Sequence, residues 1–593
     1  MNFSLLSVAF LAIIGQTYGR IVSFNLLTFG GQCGVQVGDK FINMPAVDDY
    51  SGVHSASVIC PDEDIKYQYY VNGNAEGFQR ELKAGELTTH IEFYGRQDTL
   101  KELKGLGYPP ELGYWGRSIG KTDLFDDSYI PTVIFDVGSR PFFEKGDDTY
   151  TLGRFTIVLK DEIFTETNVP TKAQNRYQDK FQFRIKLQNK IHKRKVFKFR
   201  ANPADPTFFR QSLYGDIAAA VGNPVHNQVI VRVYLSDGTP IGLYLMIEVT
   251  SSKSFIKTQF YGDQRTGKVN APEQLGFPLD CSTGADFNVN QNLGPFQYSE
   301  GENNDKIKYL IDAMQSLDIN SQEAIQEFNE KWFDLNVFFR SLALEYLTGD
   351  WDSYWMYTTN FVMYDDPTES TENTFKYYFI DQDFDLTFGI GLSQIINPYG
   401  VDFPNQSYKT LVDRTWNVDL YDGPNRAAVD KFLRGGLTTQ YFEGHLINIV
   451  KYVFNPVALG RRLEEYVRRY ESEIQWDYGI NRLHIGADPN KTRYVWTMND
   501  FYENLEDVPK RSVQWGLKDY IKKRASTVAK EFNFEWESEP YEPVVIQYET
   551  PEEEGYNLVE NENEKSYSIS SFELSSITSL LLVMVTLYFG FLM

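Results

Sequence analysis

Histidine and cysteine are scarce in this chain, with six and three among 593 residues. The six histidines are scattered, so neither a zinc site nor a Ser-His-Asp triad is suggested. There is no Gly-rich Walker loop, which excludes nucleotide binding of the P-loop type. Positive charge is in deficit: 57 Lys and Arg stand against 81 Asp and Glu, a formal net charge of −24. Such a balance excludes nucleic acid as a partner. Internal repeats are missing as well. Aromatic residues, in contrast, are abundant at 15%, enough for a large core and for much exposed tyrosine.

The two ends predict export. Residues 1–19 hold an apolar stretch from Leu5 to Ile14 followed by Thr17-Tyr18-Gly19, which reads as a secretory signal peptide. Residues 577–593 are uncharged and end the sequence, after a serine-rich spacer. Small residues, a spacer and an apolar tail describe a glycolipid (GPI) anchor signal; a single C-terminal membrane span is the alternative. Residues 536–575 are acidic and polar and read as a solvated stalk. In an oxidising compartment Cys33 and Cys60 are a candidate disulfide, leaving Cys281 over as a buried free thiol. Asn405-Gln406-Ser407 and Asn490-Lys491-Thr492 are glycosylation acceptors.

Between the ends, residues 20–105 alternate apolar and polar positions and predict a small β-sandwich, with a spacer or capping role. Residues 121–255 predict a mixed α/β part. Its strands are Tyr129–Phe135, Phe181–Leu187 and Val196–Phe199, followed by an amphipathic helix ended by Gly222. A hairpin, Val229–Leu235 with Ile241–Val249, closes it. Residues 256–535 are mainly helical. Helix Leu335–Leu347, capped by Asp334, leads directly to Asp352, and a hairpin-like segment joins Asp352 to a second acidic motif.

That motif is Asp381-Gln382-Asp383-Phe384-Asp385. Period-two alternation predicts the three carboxylates on one side of a strand, where they repel unless a cation lies between them. Oxygen ligands of this kind suit Mg²⁺ or Mn²⁺. The order of parts is Asp352, then Asn360, then Asp383. This is the order of a kinase-type phosphoryl-transfer site: a carboxylate for the acceptor hydroxyl, an asparagine, and a metal-binding aspartate. An exposed acidic strand or a Ca²⁺ site is the bland alternative.

Gly349-Asp350-Trp351-Asp352-Ser353-Tyr354-Trp355-Met356, Thr359-Asn360 and Tyr378 through Gly389 carry a resemblance to the spore-coat protein H (CotH) kinase family. Phe197-Lys198-Phe199-Arg200 and Arg210-Gln211-Ser212-Leu213-Tyr214-Gly215-Asp216-Ile217 support it, over roughly residues 120–535. The chain most resembles the cell-surface members of mucoralean fungi. The resemblance implies an α+β fold with an atypical protein-kinase-like two-lobed core, preceded by the N-terminal sandwich. It implies ATP and Mg²⁺ as cofactors and Ser/Thr of secreted or coat proteins as substrates. Asp352 then takes the catalytic role, and Asn360, Asp383, Asp385 and Asp381 the metal. Lys180 is the candidate phosphate-binding lysine and Lys198 its alternative; Arg210 and Glu248 join the nucleotide-binding set. Two departures stand out: Gln211 replaces a glutamate common in the family, and Asp352 to Asn360 is longer than the ordinary kinase spacing. The resemblance also implies a second reading, a surface invasin that binds host-cell receptors, whose recognition segment corresponds to Phe361–Thr368. A structural spore-wall protein is the third.

Overall fold

The computed structural model describes residues 19–290, 292–298, 305–392, 397–416, 426–486, 494–506, 515–544 and 567–568. The expected signal peptide and anchor tail, nearly all of the acidic stalk beyond residue 544, and Asn490 lie outside the described residues.

Residues 20–93 form eight strands: β1 (Arg20–Leu27), β2 (Cys33–Val37), β3 (Lys40–Met44), β4 (Val53–Cys60), β5 (Ile65–Val71), β6 (Asn74–Ala75), β7 (Arg80–Leu82) and β8 (Glu92–Phe93). β4, β1 and β8 make one sheet; β3, β2, β5, β6 and β7 make the other. Alternate residues of β1 and β5, Val22, Phe24 and Leu26 with Tyr67 and Tyr69, meet between the sheets. Cys33 and Cys60 both lie in this core, on opposite sheets, and each is a free thiol. The expected disulfide is therefore not formed here. Burial pushes the Cys33 thiol up to about 11, so it packs as a small hydrophobe.

The mixed α/β part is a ring of seven strands. They are β9 (Thr132–Phe135), β10 (Thr149–Val158), β11 (Glu162–Gln174), β12 (Gln182–Ile191), β13 (Arg194–Arg200), β14 (Gln228–Leu235) and β15 (Pro240–Glu248). Their order is β10-β9-β14-β15-β13-β12-β11, and β10 also pairs with β11, which closes the sheet on itself. Closure removes the sheet's edges and creates an interior. Phenylalanine fills it: Phe135, Phe155, Phe183, Phe197 and Phe199 share one core, and Phe183 stacks on Phe199 at 4.7 Å. Because Phe197 and Phe199 point inward, Val196, Lys198 and Arg200 take the other face of β13. That face meets the helical part.

Helix α1 (Arg210–Ala220) links β13 to β14. Its buried face packs on α2 (Leu335–Thr348), in one core that runs through the helical half of the chain. Asp334 caps α2, its carboxylate accepting from the Val337 amide at 2.8 Å. Gly349 ends α2 at φ 61°, where an added Cβ would collide with the Tyr520 hydroxyl. This left-handed stop turns the chain sharply, burying Asp350 and presenting Asp352. The hairpin β16 (Phe361–Asp366) with β17 (Lys376–Asp381) follows, in the register Phe361 opposite Asp381. Later helices α3 (Gly436–Tyr452), α4 (Ala458–Tyr478) and α5 (Leu517–Phe532) complete the core.

Candidate active site

The acidic motif does not stay extended. Strand β17 ends at Asp381, and Asp383 adopts φ 61°. The period-two expectation therefore fails after the first carboxylate. Asp381 turns inward and is buried, accepting from the Tyr214 hydroxyl at 2.9 Å. Burial pushes it up to about 6, against hydrogen bonds from Ser341 and Tyr214. Asp383 and Asp385 turn instead toward the outer face of β13. Phe384, between them, is clamped by Tyr214 at 4.1 Å and by His226 at 4.9 Å, both rings nearly parallel to it. The clamp fixes the backbone from which the two carboxylates project.

Lys198 donates to both oxygens of Asp383, at 2.9 and 3.1 Å, and Arg200 donates to the same carboxylate. Arg200 also pairs with Asp385 at 2.5 Å. Burial alone would raise Asp383, but Arg200 and then Lys198 outweigh it and hold the carboxyl well below the usual range. Asp352 shows the opposite balance. Burial, then the charges of Asp385 and Asp383, push it up to about 7. Asn360, at φ 55°, folds back so that its side-chain amide donates to the Asp352 carbonyl at 2.7 Å. A short helical turn, Tyr354–Tyr357, takes up the long spacing between them.

The structure thus assembles Asp352, Asn360, Asp383, Asp385 and Lys198 and leaves other expected residues elsewhere. Lys180 lies just before β12 and donates to Asp477 at 2.8 Å and to the Leu243 carbonyl at 3.0 Å. It is held against α4, whereas Lys198 is the lysine that reaches Asp383. Arg210 is fully buried, pairs with Asp205 at 2.6 Å and reaches the Trp515 carbonyl at 3.2 Å. Glu248 accepts from Arg194 at 2.8 Å and from both nitrogens of Asn227. Both are internal braces of the barrel and α1. Gln211 lies against His226, at 3.4 Å, and makes no ion pair. Asn405 is exposed, as a glycosylation acceptor must be.

Three groups escaped the sequence reading. Arg200 belongs to the Phe197-Lys198-Phe199-Arg200 motif, yet its place in the site follows only from sharing a face with Lys198. Glu345 and Asp350 are buried carboxylates beneath the site, and both are pushed well up, burial being the first cause. One Glu345 oxygen accepts from the Trp355 amide at 2.7 Å; its other oxygen and one of Asp350 have no hydrogen-bond partner. Glu345, the lone acidic residue of the mostly apolar helix α2, was the available signal.

The donor set, three carboxylates and an amide, suits a hard cation in kind. Among the described residues, however, no three Asp, Glu, His or Cys side chains converge closely enough to ligate one. Lys198 and Arg200 occupy the oxygens of Asp383 that would turn to it. Beside this cluster a cavity of about 960 Å³ opens along β12 and β13. Val196, Val249, Phe277, Pro278 and Tyr298 give it apolar walls, and Arg184 and Lys186 line it too. Arg184 sits directly across the strand pair from Lys198, and Lys186 across from Val196. The cavity and the carboxylates therefore share one strand face.

Comparison with known proteins agrees with this geometry in part. The family model described as "CotH kinase protein" matches residues 172–528. Invasin CotH3 of Rhizopus delemar is 30% identical over 568 residues, covering 92% of this chain and 89% of that protein. Invasin CotH2 of the same fungus is 29% identical over 572 residues, again 92% and 89%. The protein named spore coat protein homolog 1, also from Rhizopus delemar, is 27% identical over 88% of this chain and 84% of its own length.

Proposed function

The chain belongs to the CotH kinase protein family, and from that premise we propose that it is an atypical protein kinase of the cell surface or coat. It transfers the γ-phosphoryl group of ATP to Ser or Thr hydroxyls of coat or cell-surface proteins. One observation carries the reading: Asp383, held ionised by Lys198 and Arg200, stands with Asp385 next to an Asp352 whose carboxyl is pushed up to about 7. Phosphoryl transfer asks chiefly for placed charge and a residue that orients the acceptor hydroxyl. Asp352 is suited to accept that hydroxyl's proton, since a base near neutrality combines availability with driving force. Its carbonyl is pinned by Asn360, so the carboxylate keeps its aim. Lys198 and Arg200 offer cations to phosphate oxygens, and the apolar walls around Val196 and Val249 suit a base ring. Asp383, Asp385 and Asn360 would hold Mg²⁺, which would neutralise phosphate charge when bound.

Labelled ATP with Mg²⁺ or Mn²⁺ tests this on the secreted chain. Transfer is expected for the wild type, with a fall of about a thousandfold or more in Asp383→Ala and a comparable loss in Asp352→Asn. Equal transfer by all three proteins would overturn the reading.

A second reading, a part in host-cell invasion, is favoured by the names of two relatives, Invasin CotH3 and Invasin CotH2. The same names and that of the spore-coat relative support a surface or coat location. The segment expected to recognise a receptor gives it no help: Phe361–Asp366 is strand β16, every residue of it buried. Only the tip from Pro367 onward reaches solvent.

A further inference from the structure

Among the described residues, unpaired positive charge gathers away from the carboxylates, around the tip of the β12–β13 hairpin. The tip pairs Ile191 with Arg194 and turns through His192 and Lys193, at φ 46° and 69°. Two consecutive positive φ values define a tight turn that favours Asn-Gly, so His-Lys here costs conformational energy. His192 is fastened by Glu162 at 2.9 Å, which leaves Lys193 exposed at the apex. Facing the tip are Lys257, on the helix Lys253–Phe260, and Lys268, in the turn that follows.

Lys190, Lys193, Lys257 and Lys268 line a second cavity, of about 620 Å³; the first cavity shares Lys190, Lys193 and Lys257 with it and adds Lys195. Among the described residues none of these five lysines forms an ion pair with a carboxylate, although the chain carries 81 acidic residues. Elsewhere Lys83, Lys160, Lys180 and Lys198 all find aspartates. Five mutually repelling ammonium groups around one groove are stabilised by an anionic ligand.

The lining selects the ligand's class. The second cavity contains no aromatic ring, so it offers no platform for stacking the bases of a nucleic acid. Protein partners anchor on Trp, Tyr and Arg, and their interfaces are depleted of lysine; no such anchor lines this cavity. Lysines joined by the polar side chains of Thr266 and Asn270 fit a ligand that is extended, rich in hydroxyls and densely charged. We propose that this groove binds a sulfated polysaccharide. None of the five lysines pairs with Asp352, Asp383 or Asp385, although Lys190, Lys193, Lys195 and Lys257 also line the first cavity.

The test measures binding of the whole secreted chain to immobilised heparin across a salt series. In the double variant Lys190→Glu with Lys193→Glu, affinity at physiological salt is expected to fall at least tenfold. The slope of log affinity against log salt should become shallower by about two, one counterion per cation removed. Lys40→Glu with Lys66→Glu makes the same change of charge on exposed strands of the N-terminal sandwich and should shift affinity less than twofold. Asp383→Ala should bind as the wild type does. Because Glu substitutions could disturb the turn, Lys190→Ala with Lys193→Ala is measured beside them, with melting curves for all variants. Absence of heparin binding by the wild type overturns the proposal. So does an equal loss in the sandwich control, or competition by polyglutamate as effective as that by heparin.

Discussion

Two clusters in this molecule are built from the same three residue types and do opposite things. In one, Lys180 and Arg482 enclose Asp477; in the other, Lys198 and Arg200 meet Asp383 and Asp385. Asp477 receives Lys180 at 2.8 Å, Arg482 at 2.8 and 3.0 Å, and the Leu243 amide at 2.7 Å. Its side chain is 5% exposed, that of Asp383 30%. The first cluster has two cations for one carboxylate and spends every oxygen internally. The second sets two cations against three carboxylates once Asp352 is counted, and the excess shows in Asp352 being pushed up to about 7. A sealed cluster with surplus donors holds α4 to the barrel; an open one with surplus carboxylate is able to take a cation and exchange its partners.

The contrast is broken most forcefully at Asp477. Asp477→Ala leaves Lys180 and Arg482 buried without their anion, and a buried pair broken from one side costs about 3–5 kcal/mol. Thermal or urea unfolding should show that loss in full. Asp383→Ala should cost about 1 kcal/mol or less, since Arg200 keeps Asp385 and water reaches the site. Equal costs would mean that the second cluster is structural too.

Which lysine belonged to which cluster was only half legible in the sequence. Both precede or occupy predicted strands, and period two assigns faces without saying what will cover them. The alternation Phe197, Lys198, Phe199, Arg200 did contain the answer: two phenylalanines claim the interior, so the cations between them must face out together. Lys180, before its strand, lies outside any alternation, and its partner Asp477 is 297 residues away. The aspartates fared similarly. Asp352 was legible because α2 and its cap run straight into it. The failure at Asp381 came from the left-handed turn at Asp383, which no residue type there announces; Asp is tolerated in that region but does not demand it. Helices α1 and α2 and both hairpins were readable as local periodicities. Ring closure was not, because it depends on β9 pairing in parallel with β14, about a hundred residues later.

Acid should separate the clusters more gently. Asp477 is depressed to about 2: burial would raise it, but Lys180 and Arg482 prevail. A carboxyl whose folded value lies below its unfolded one stabilises the fold above the unfolded value. That stability is lost as pH falls through the folded one. The window here runs from about pH 4 down to 2, and about 2 kcal/mol disappears across it. Unfolding measured along that range should lose correspondingly less in Asp477→Asn, which has no charge to give up.

The smallest effect is the most discriminating, because it asks for a gain. Divalent cations should leave the sealed cluster untouched and stabilise the open one. Asp352 is penalised by the charges of Asp385 and Asp383, so a cation among them relieves a repulsion already present in the folded state. A ligand at ten times its dissociation constant adds about 1.4 kcal/mol to the folded form. Millimolar Mg²⁺ or Mn²⁺ should therefore raise the melting temperature of the wild type and of Lys180→Met, whose site is intact. It should leave Asp383→Asn with Asp385→Asn unmoved. A rise that survives in that double variant would place the cation elsewhere, and the surplus carboxylate of the site would then be answered by Lys198 and Arg200 alone.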